Sequence, residues 1–191
     1  MHFYTAISGQ IRRLLAEKDT VLVAIDGNST AGKTTLAEKL AEEFCCSVFH
    51  MDEFFLRPEQ RTPQRLAEPG GNVDYERFRR EVLLPLTQGK PVCYRPYDCR
   101  SQSLKTPVTV SRQRLSIIEG TYSCHPYFGD AYDLKIFLTV SPEVQRQRIL
   151  RRPEHKHRMF FEVWIPMEQT YFSAFGIRER CHLVCSGQEE P

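Results

Sequence analysis

The sequence predicts an α/β fold, with helices on both faces of one mostly parallel sheet. Three observations predict it. Val21-Leu22-Val23-Ala24-Ile25-Asp26 is a short apolar run rich in β-branched residues, as a strand buried on both faces requires. Gly27-Asn28-Ser29-Thr30-Ala31-Gly32-Lys33-Thr34 follows at once with the spacing G-x-x-x-x-G-K-[ST]. Leu36, Ala37, Leu40, Ala41 and Phe44 then recur at helical spacing. A chance match to the loop pattern would rarely sit between a buried strand and an amphipathic helix, which is the context the pattern needs.

The rest of the chain follows in order. Residues 3–17 read as a first helix, with Ile7, Ile11, Leu14 and Leu15 on one face, packed outside the sheet. Residues 47–51 form a second strand, and Asp52 and Glu53 stand just past its end. Residues 53–73 carry Pro58, Pro63, Pro69, Gly70 and Gly71 among many charges and read as a long loop over the strand ends. Asp74 reads as the N-cap of a helix carrying Phe78, Val82, Leu83 and Leu86, kinked by Pro85 and stopped by Gly89. Residues 91–97 and 106–110 suggest a small β-excursion. Residues 115–119 and 134–140 are the next buried strands. Ser141-Pro142-Glu143 then opens a helix with a cap, a proline in its first turn and an acid beside it. It breaks near Pro153. Residues 159–175 are expected helical apart from Pro166, 182–185 a last strand, and Ser186–Pro191 a frayed tail.

Composition narrows the function. A chain of 191 residues suits one domain, 1–191, with a core made without staples. A net charge of +2 argues against a nucleic-acid polymer as partner. No apolar run approaches the roughly 20 residues of a membrane span, and residues 1–18 lack a signal peptide's apolar core. Seven cysteines with no C-x-x-C pair, most of them in or next to predicted strands where a free thiol packs as a small hydrophobe, are expected to be reduced in a cytoplasm. His155 and His157 lack a carboxylate or thiol companion and read as a polar loop rather than a metal site.

The chemistry is expected where strands end at their carboxyl edge. The loop from Gly27 to Thr34, with Thr35, is built to hold the phosphates of ATP on backbone N–H groups, with the helix N-terminus behind them. Lys33 supplies a cation there and Thr34 a hydroxyl for Mg²⁺. Glu119, ending a strand, can hold the metal directly or through water, or only pair with an arginine. Asp52 is free to take a proton from a hydroxyl, or only to cap a turn. Arg146, Arg148, Arg151 and Arg152 fall within seven residues and read either as a solvated face or as cations closing over phosphates. Asp74 is a helix cap, a substrate ligand, or both. Tyr94 and Tyr97 stack on a base or pack in a hairpin.

At this point the chain resembles a family. Gly27–Thr34, His50-Met51-Asp52-Glu53-Phe54-Phe55, Asn72-Val73-Asp74, Tyr97-Asp98, Ile118-Glu119-Gly120 and the arginine-rich helix occur in the order found in uridine kinase-like enzymes, a group that includes nicotinamide riboside kinase. The resemblance covers roughly residues 20–185. It implies a P-loop NTPase fold, three-layered α/β/α, with a five-stranded parallel sheet and a lid at about 151–160. It implies transfer of the γ-phosphoryl group of ATP to a hydroxyl of a nucleoside-like small molecule, with Asp52 as base and Lys33, Arg148 and Arg151 in the catalytic set. Arg152 would join the nucleotide site. Asp52, Phe55, Asp74 and Tyr97 would meet the acceptor, Asp74 through ribose hydroxyls. Two departures keep the acceptor open. Tyr97-Asp98-Cys99-Arg100-Ser101-Gln102 has no histidine where uridine kinases use one to read the base, and Asn72-Val73-Asp74 is followed by Tyr75-Glu76-Arg77 rather than His-Pro. Nicotinamide riboside, pantothenate or another small alcohol therefore stand beside a pyrimidine nucleoside. A P-loop ATPase or a nucleotide-binding regulator is the other reading. A GTP switch lacks its Asn-Lys-x-Asp, and an assembly ATPase its further helical domain. A homo-oligomer stays open.

Overall fold

The structure is a computed structural model that describes residues 2–187. In chain order its first elements are α1 (His2–Glu17), β1 (Val21–Gly27), α2 (Lys33–Phe44), β2 (Ser47–His50), α3 (Pro63–Ala67), α4 (Tyr75–Phe78) and α5 (Leu84–Thr87). Four short strands follow, β3 (Val92–Tyr94), β4 (Tyr97–Asp98), β5 (Ser103–Leu104) and β6 (Val108–Val110). The rest is β7 (Leu115–Glu119), β8 (Leu134–Thr139), α6 (Pro142–Leu150), α7 (His157–Met159), α8 (Ile165–Phe175) and β9 (Leu183–Ser186).

The central sheet has five strands in the order β2-β7-β1-β8-β9, and every pairing is parallel. β1 is buried along its whole length, so it can be apolar throughout. The two-residue period of the strand divides its side chains between two cores. Val21, Val23 and Ile25 pack with Ile7 and Ile11 of α1 and with Leu36, Ala37 and Leu40 of α2. Leu22 and Ala24 face Phe49, Phe54, Phe78 and Tyr171 on the other side. Helices therefore cover both faces, as the strand–helix alternation predicts. The β-excursion is two antiparallel pairs, β3 with β6 and β4 with β5, outside the main sheet.

The helix that carries Pro85 ends at Thr87, just before Gly89 at φ +64°, as expected, while the helix expected to be interrupted at Pro166 runs through it. In both places a π-turn precedes the proline, Arg79–Leu83 before Leu84-Pro85 and Phe160–Trp164 before Ile165-Pro166. The N–H of Leu84 reaches the carbonyl of Arg79, and that of Ile165 reaches Phe160. The wider turn absorbs the ring and the missing donor, so the helical path runs on through 75–87 and 157–175.

The segment 53–73 is more ordered than a loop. It holds single helical turns at Met51–Phe54 and Pro58–Gln60, and then α3, capped by Thr62. Arg65 gathers the segment. Its guanidinium makes a two-pronged bond to Glu76, both arms 2.7 Å, and donates to the carbonyls of Gly71 and Val73 at 3.0 and 2.9 Å. It also lies 3.8 Å over the Tyr75 ring. One fork of donors thus serves carbonyls that no ladder reaches. All seven cysteines are free thiols, as expected; four are half-buried, while Cys45, Cys93 and Cys99 are exposed rather than packed. Of the expected tail, 188–191 lie outside the described residues. Ser186 ends β9, and Gly187 donates its N–H to the Thr139 carbonyl at 2.7 Å. No helix among the described residues is long and apolar enough to cross a membrane.

Candidate active site

The loop after β1 begins with a glycine for steric reasons. Gly27 has φ +132°, and a Cβ there would lie 2.0 Å from the Leu138 carbonyl oxygen of β8. No side chain fits. The first three amides of the loop have partners inside the fold. Gly27 N–H donates to Asp26 Oδ1 at 2.7 Å, Asn28 N–H to the Leu138 carbonyl at 3.0 Å, and Ser29 N–H to Glu168 Oε2 at 2.9 Å. Ala31 N–H turns back to Asn28 at 3.1 Å. The amides of Thr30, Gly32, Lys33, Thr34 and Thr35 have no such partner among the described residues, and the first backbone bond of α2 runs from Leu36 to Gly32. The donors free for an anion are therefore narrower than the whole of 27–35, and they cluster at the N-terminus of a twelve-residue helix.

Lys33 is nearly buried. Its ammonium donates to the carbonyls of Gly27 and Asn28, both at 2.8 Å, and to Thr121 Oγ1 at 3.2 Å. The next side chain, Thr34, puts its hydroxyl 3.3 Å from Glu119 Oε1. His50 Nδ1 lies 2.6 Å from the same oxygen, because β2 and β7 are neighbours in register with His50 opposite Glu119. That hydrogen bond raises the His50 pKa above its ordinary value. Among the described residues no group of three His, Cys, Asp or Glu side chains is placed to hold a metal ion. One hydroxyl and one carboxylate suit Mg²⁺, which keeps waters and shares phosphate oxygens rather than filling an all-protein cage.

Asp52 sits on the turn after β2, open to solvent yet crowded by the rim around it. Loss of hydration and the nearby Glu119 carboxylate push its pKa up, while Lys33, His50 and Arg152 hold it down. Asp52 follows directly on β2, whose His50 pairs in register with Glu119 of β7. Of the arginines, Arg148 donates Nη1 to the Thr30 carbonyl at 2.9 Å and so holds the loop. Arg152 lies 5.3 Å over the Phe160 ring and Arg146 5.3 Å over Phe161. Arg151 is exposed at the start of the expected lid, which contains a single turn at Glu154–Lys156 before α7.

Asp74 is tied into the fold. It caps α4, with Oδ1 accepting the Arg77 N–H at 3.0 Å, while Oδ2 accepts from Gln60 Nε2 at 2.8 Å and lies 3.6 Å from Arg77 Nε. It also lines a cavity of about 490 Å³ with Leu56, Arg57, Gln60, Arg77 and Arg80. Phe55 is half-buried and bridges to Val73 across the chain. Tyr97 is buried in the hairpin, and its hydroxyl accepts from Arg61 at 3.1 Å. Tyr94 packs against Phe54 at 5.4 Å, which is core packing rather than a free face.

Two carboxylates at the base of the loop carry no functional expectation from the sequence. Asp26 is fully buried, and its Oδ2 accepts from Cys124 N–H and Tyr171 Oη, both at 2.9 Å. Burial pushes its pKa up to about 6. Glu168, 1% exposed on α8, holds Ser29. A signal existed for both: Asp26 is a carboxylate in an otherwise apolar strand, and Glu168 stands three and four residues before the buried Tyr171 and Phe172, on the buried stripe of α8.

No family profile and no curated protein matches the chain. Solved structures do. A possible uridine kinase from Bacillus stearothermophilus superposes with a TM-score of 0.68 at 20% identity, over 94% of this chain and 99% of that one. YFH7 from Saccharomyces cerevisiae, a P-loop-containing chain with a circular permutation, gives 0.61 at 11% identity, over 96% and 97%. D-glycerate 3-kinase from Cryptococcus neoformans gives 0.57 at 13% identity, over 92% and 85%. The fold is that of the uridine kinase-like P-loop kinases.

Proposed function

We propose that this chain, with its uridine kinase-like P-loop kinase fold, transfers the γ-phosphoryl group of ATP to a hydroxyl of a nucleoside-like small molecule. The observation that carries the reading is that Asp52 stands two residues past His50, whose partner Glu119 also meets Thr34, the residue next to Lys33. A cation for phosphate oxygens and an acid for a hydroxyl proton are the two things such a transfer needs close together.

In this reading the amides of Thr30 and Gly32 to Thr35 take the β- and γ-phosphates, and Lys33 leaves the loop carbonyls to meet them. Thr34 and Glu119 would hold Mg²⁺, which supplies neutralisation of phosphate charge when bound. Asp52 accepts the proton of the acceptor hydroxyl as its oxygen bonds to the γ-phosphorus and the bond to the ADP oxygen breaks. Arg151 and Arg152 bring cations from the lid at 151–160, and Arg148 acts through the loop. Phe55, Asp74 and Tyr97 shape the acceptor side, with Asp74 offered to hydroxyls beside Gln60.

A second reading concerns the acceptor alone. The segment Tyr97–Gln102 lacks the base-reading histidine of uridine kinases, and likeness to a D-glycerate 3-kinase supports other small alcohols, nicotinamide riboside and pantothenate among them. Incubating the protein with ATP, Mg²⁺ and a panel of nucleosides and small alcohols tests both readings. ADP formed only with an acceptor supports the kinase. ADP formed equally without one makes it an ATPase, and nucleotide binding without turnover makes it a regulator.

A further inference from the structure

Ser29 has each of its polar groups held by α6 and α8, the helices on either side of the 151–160 segment. Its N–H and Oγ donate to Glu168 Oε2 of α8 at 2.9 and 2.6 Å. Its carbonyl accepts from Gln145 Nε2 of α6 at 3.1 Å. Gln145 closes the circuit by donating to Glu168 Oε1 at 3.0 Å. Glu168 is 1% exposed and Gln145 6%, so water does not compete for these groups. Three neutral donors satisfy the carboxylate.

The same helices hold the loop on either side of Ser29. Tyr171, one turn after Glu168, donates to Asp26 Oδ2 at 2.9 Å, and Arg148 of α6 donates to the Thr30 carbonyl at 2.9 Å. A buried carboxylate costs hydration, and an apolar side chain would pack as well on this face of α8. What an apolar side chain would not do is take the Ser29 amide. By taking it, Glu168 commits that N–H to the fold, while those of Thr30 and Gly32 to Thr35 have no such partner among the described residues.

We propose that Glu168 is a positioning residue for the nucleotide phosphates. Acting through Ser29, it holds the loop in the shape that presents those amides, and it ties that shape to both stems of the 151–160 segment. The inference rests on the kinase reading above.

The test is MgADP affinity by calorimetry, with steady-state constants for the alcohol that the acceptor panel returns. Glu168→Gln keeps the size of the side chain, removes its charge and turns one acceptor into a donor facing the Ser29 donors. The expected result is a Kd for MgADP and a KM for MgATP about tenfold higher, an acceptor KM and kcat within about twofold of wild type, and a Tm lower by several degrees with the chain still folded at the assay temperature. Ser29→Ala removes the 2.6 Å contact and should weaken MgADP by itself, and the double variant should bind no more weakly than Glu168→Gln alone. If Glu168→Gln does not fold, Ser29→Ala alone decides. Unchanged or tighter MgADP binding, additive losses, or an equal rise in both KM values overturns the proposal. A wild-type chain that binds no adenine nucleotide sinks the kinase reading and this inference with it. Wild-type turnover with unaffected variants sinks the inference alone.

Discussion

His50 Nδ1 and Thr34 Oγ1 meet the same oxygen, Glu119 Oε1, at 2.6 and 3.3 Å. Glu119 therefore joins β2 to the phosphate loop through one carboxylate oxygen. A carboxylate so placed is expected to tune a metal held at Thr34. Glu119→Gln should raise the Mg²⁺ concentration needed for half-maximal turnover by about 10–100-fold. A Mg²⁺ titration at saturating ATP checks this, and an unchanged midpoint would return Glu119 to an ion pair with His50.

Lys33→Ala and Thr34→Ala should each lower kcat by about 10²–10³, since each removes a group aimed at developing phosphate charge or its metal. A coupled ADP assay measures it. Lys33→Ala also frees the carbonyls of Gly27 and Asn28, so thermal melting should accompany the assay. Normal kcat in either variant would leave the cradle without a role in turnover.

Asp52→Asn should lower kcat by about 10²–10⁴ while MgADP binds as before. The raised Asp52 pKa gives a second handle. The carboxyl must be ionised to take a proton, so the acid limb of kcat/KM should lie above the ordinary aspartate value and disappear in the variant. An acid limb that survives Asp52→Asn assigns that titration elsewhere.

Asp74→Ala should destabilise the chain by about 2–4 kcal/mol, whatever its part in acceptor binding. It removes a helix cap and leaves the buried Arg77 guanidinium with one carboxylate fewer. Urea unfolding measures the loss. A variant as stable as wild type would mean that Gln60 and Glu81 suffice to hold the site.

How much of this was legible follows the distance over which each interaction acts. The strand, loop and helix from Val21 to Phe44 carry their own periodicity and glycines, and the Asp74 cap is read from three neighbouring residues. Both are local. The grip of Glu168 on Ser29 spans 139 positions, and nothing near residue 29 announces it. A polar residue on a buried helical stripe marks that something is held but not what. The interruption expected at Pro166 rests on a local rule, while the helix is carried past that proline by a π-turn at Phe160–Trp164 whose Phe160 is buried in the fold.

His125 gives a prediction whose sign can be worked through. It is 8% exposed, stacked on Tyr75 at 4.4 Å, with Tyr171 and Phe175 beyond. Burial pushes its pKa down to about 4 from an ordinary 6.5. The unfolded chain thus takes up a proton as the pH falls below about 6.5, and the folded chain refuses it until about 4. Stability that is full above 6.5 should fall through this window by up to about 3 kcal/mol. Asp26, whose raised pKa works in the opposite direction, is common to wild type and a His125 variant and cancels in their difference. His125→Phe keeps a ring against Tyr75 but loses the Nδ1 that accepts the Tyr127 N–H at 3.2 Å, a cost of about 1 kcal/mol at neutral pH. The two stabilities should therefore cross. Wild type should be the more stable at pH 7.5 and the variant at pH 4.5, by urea midpoints at each pH. Parallel curves with no crossing would mean that His125 gains its proton in the folded chain as readily as in the unfolded one.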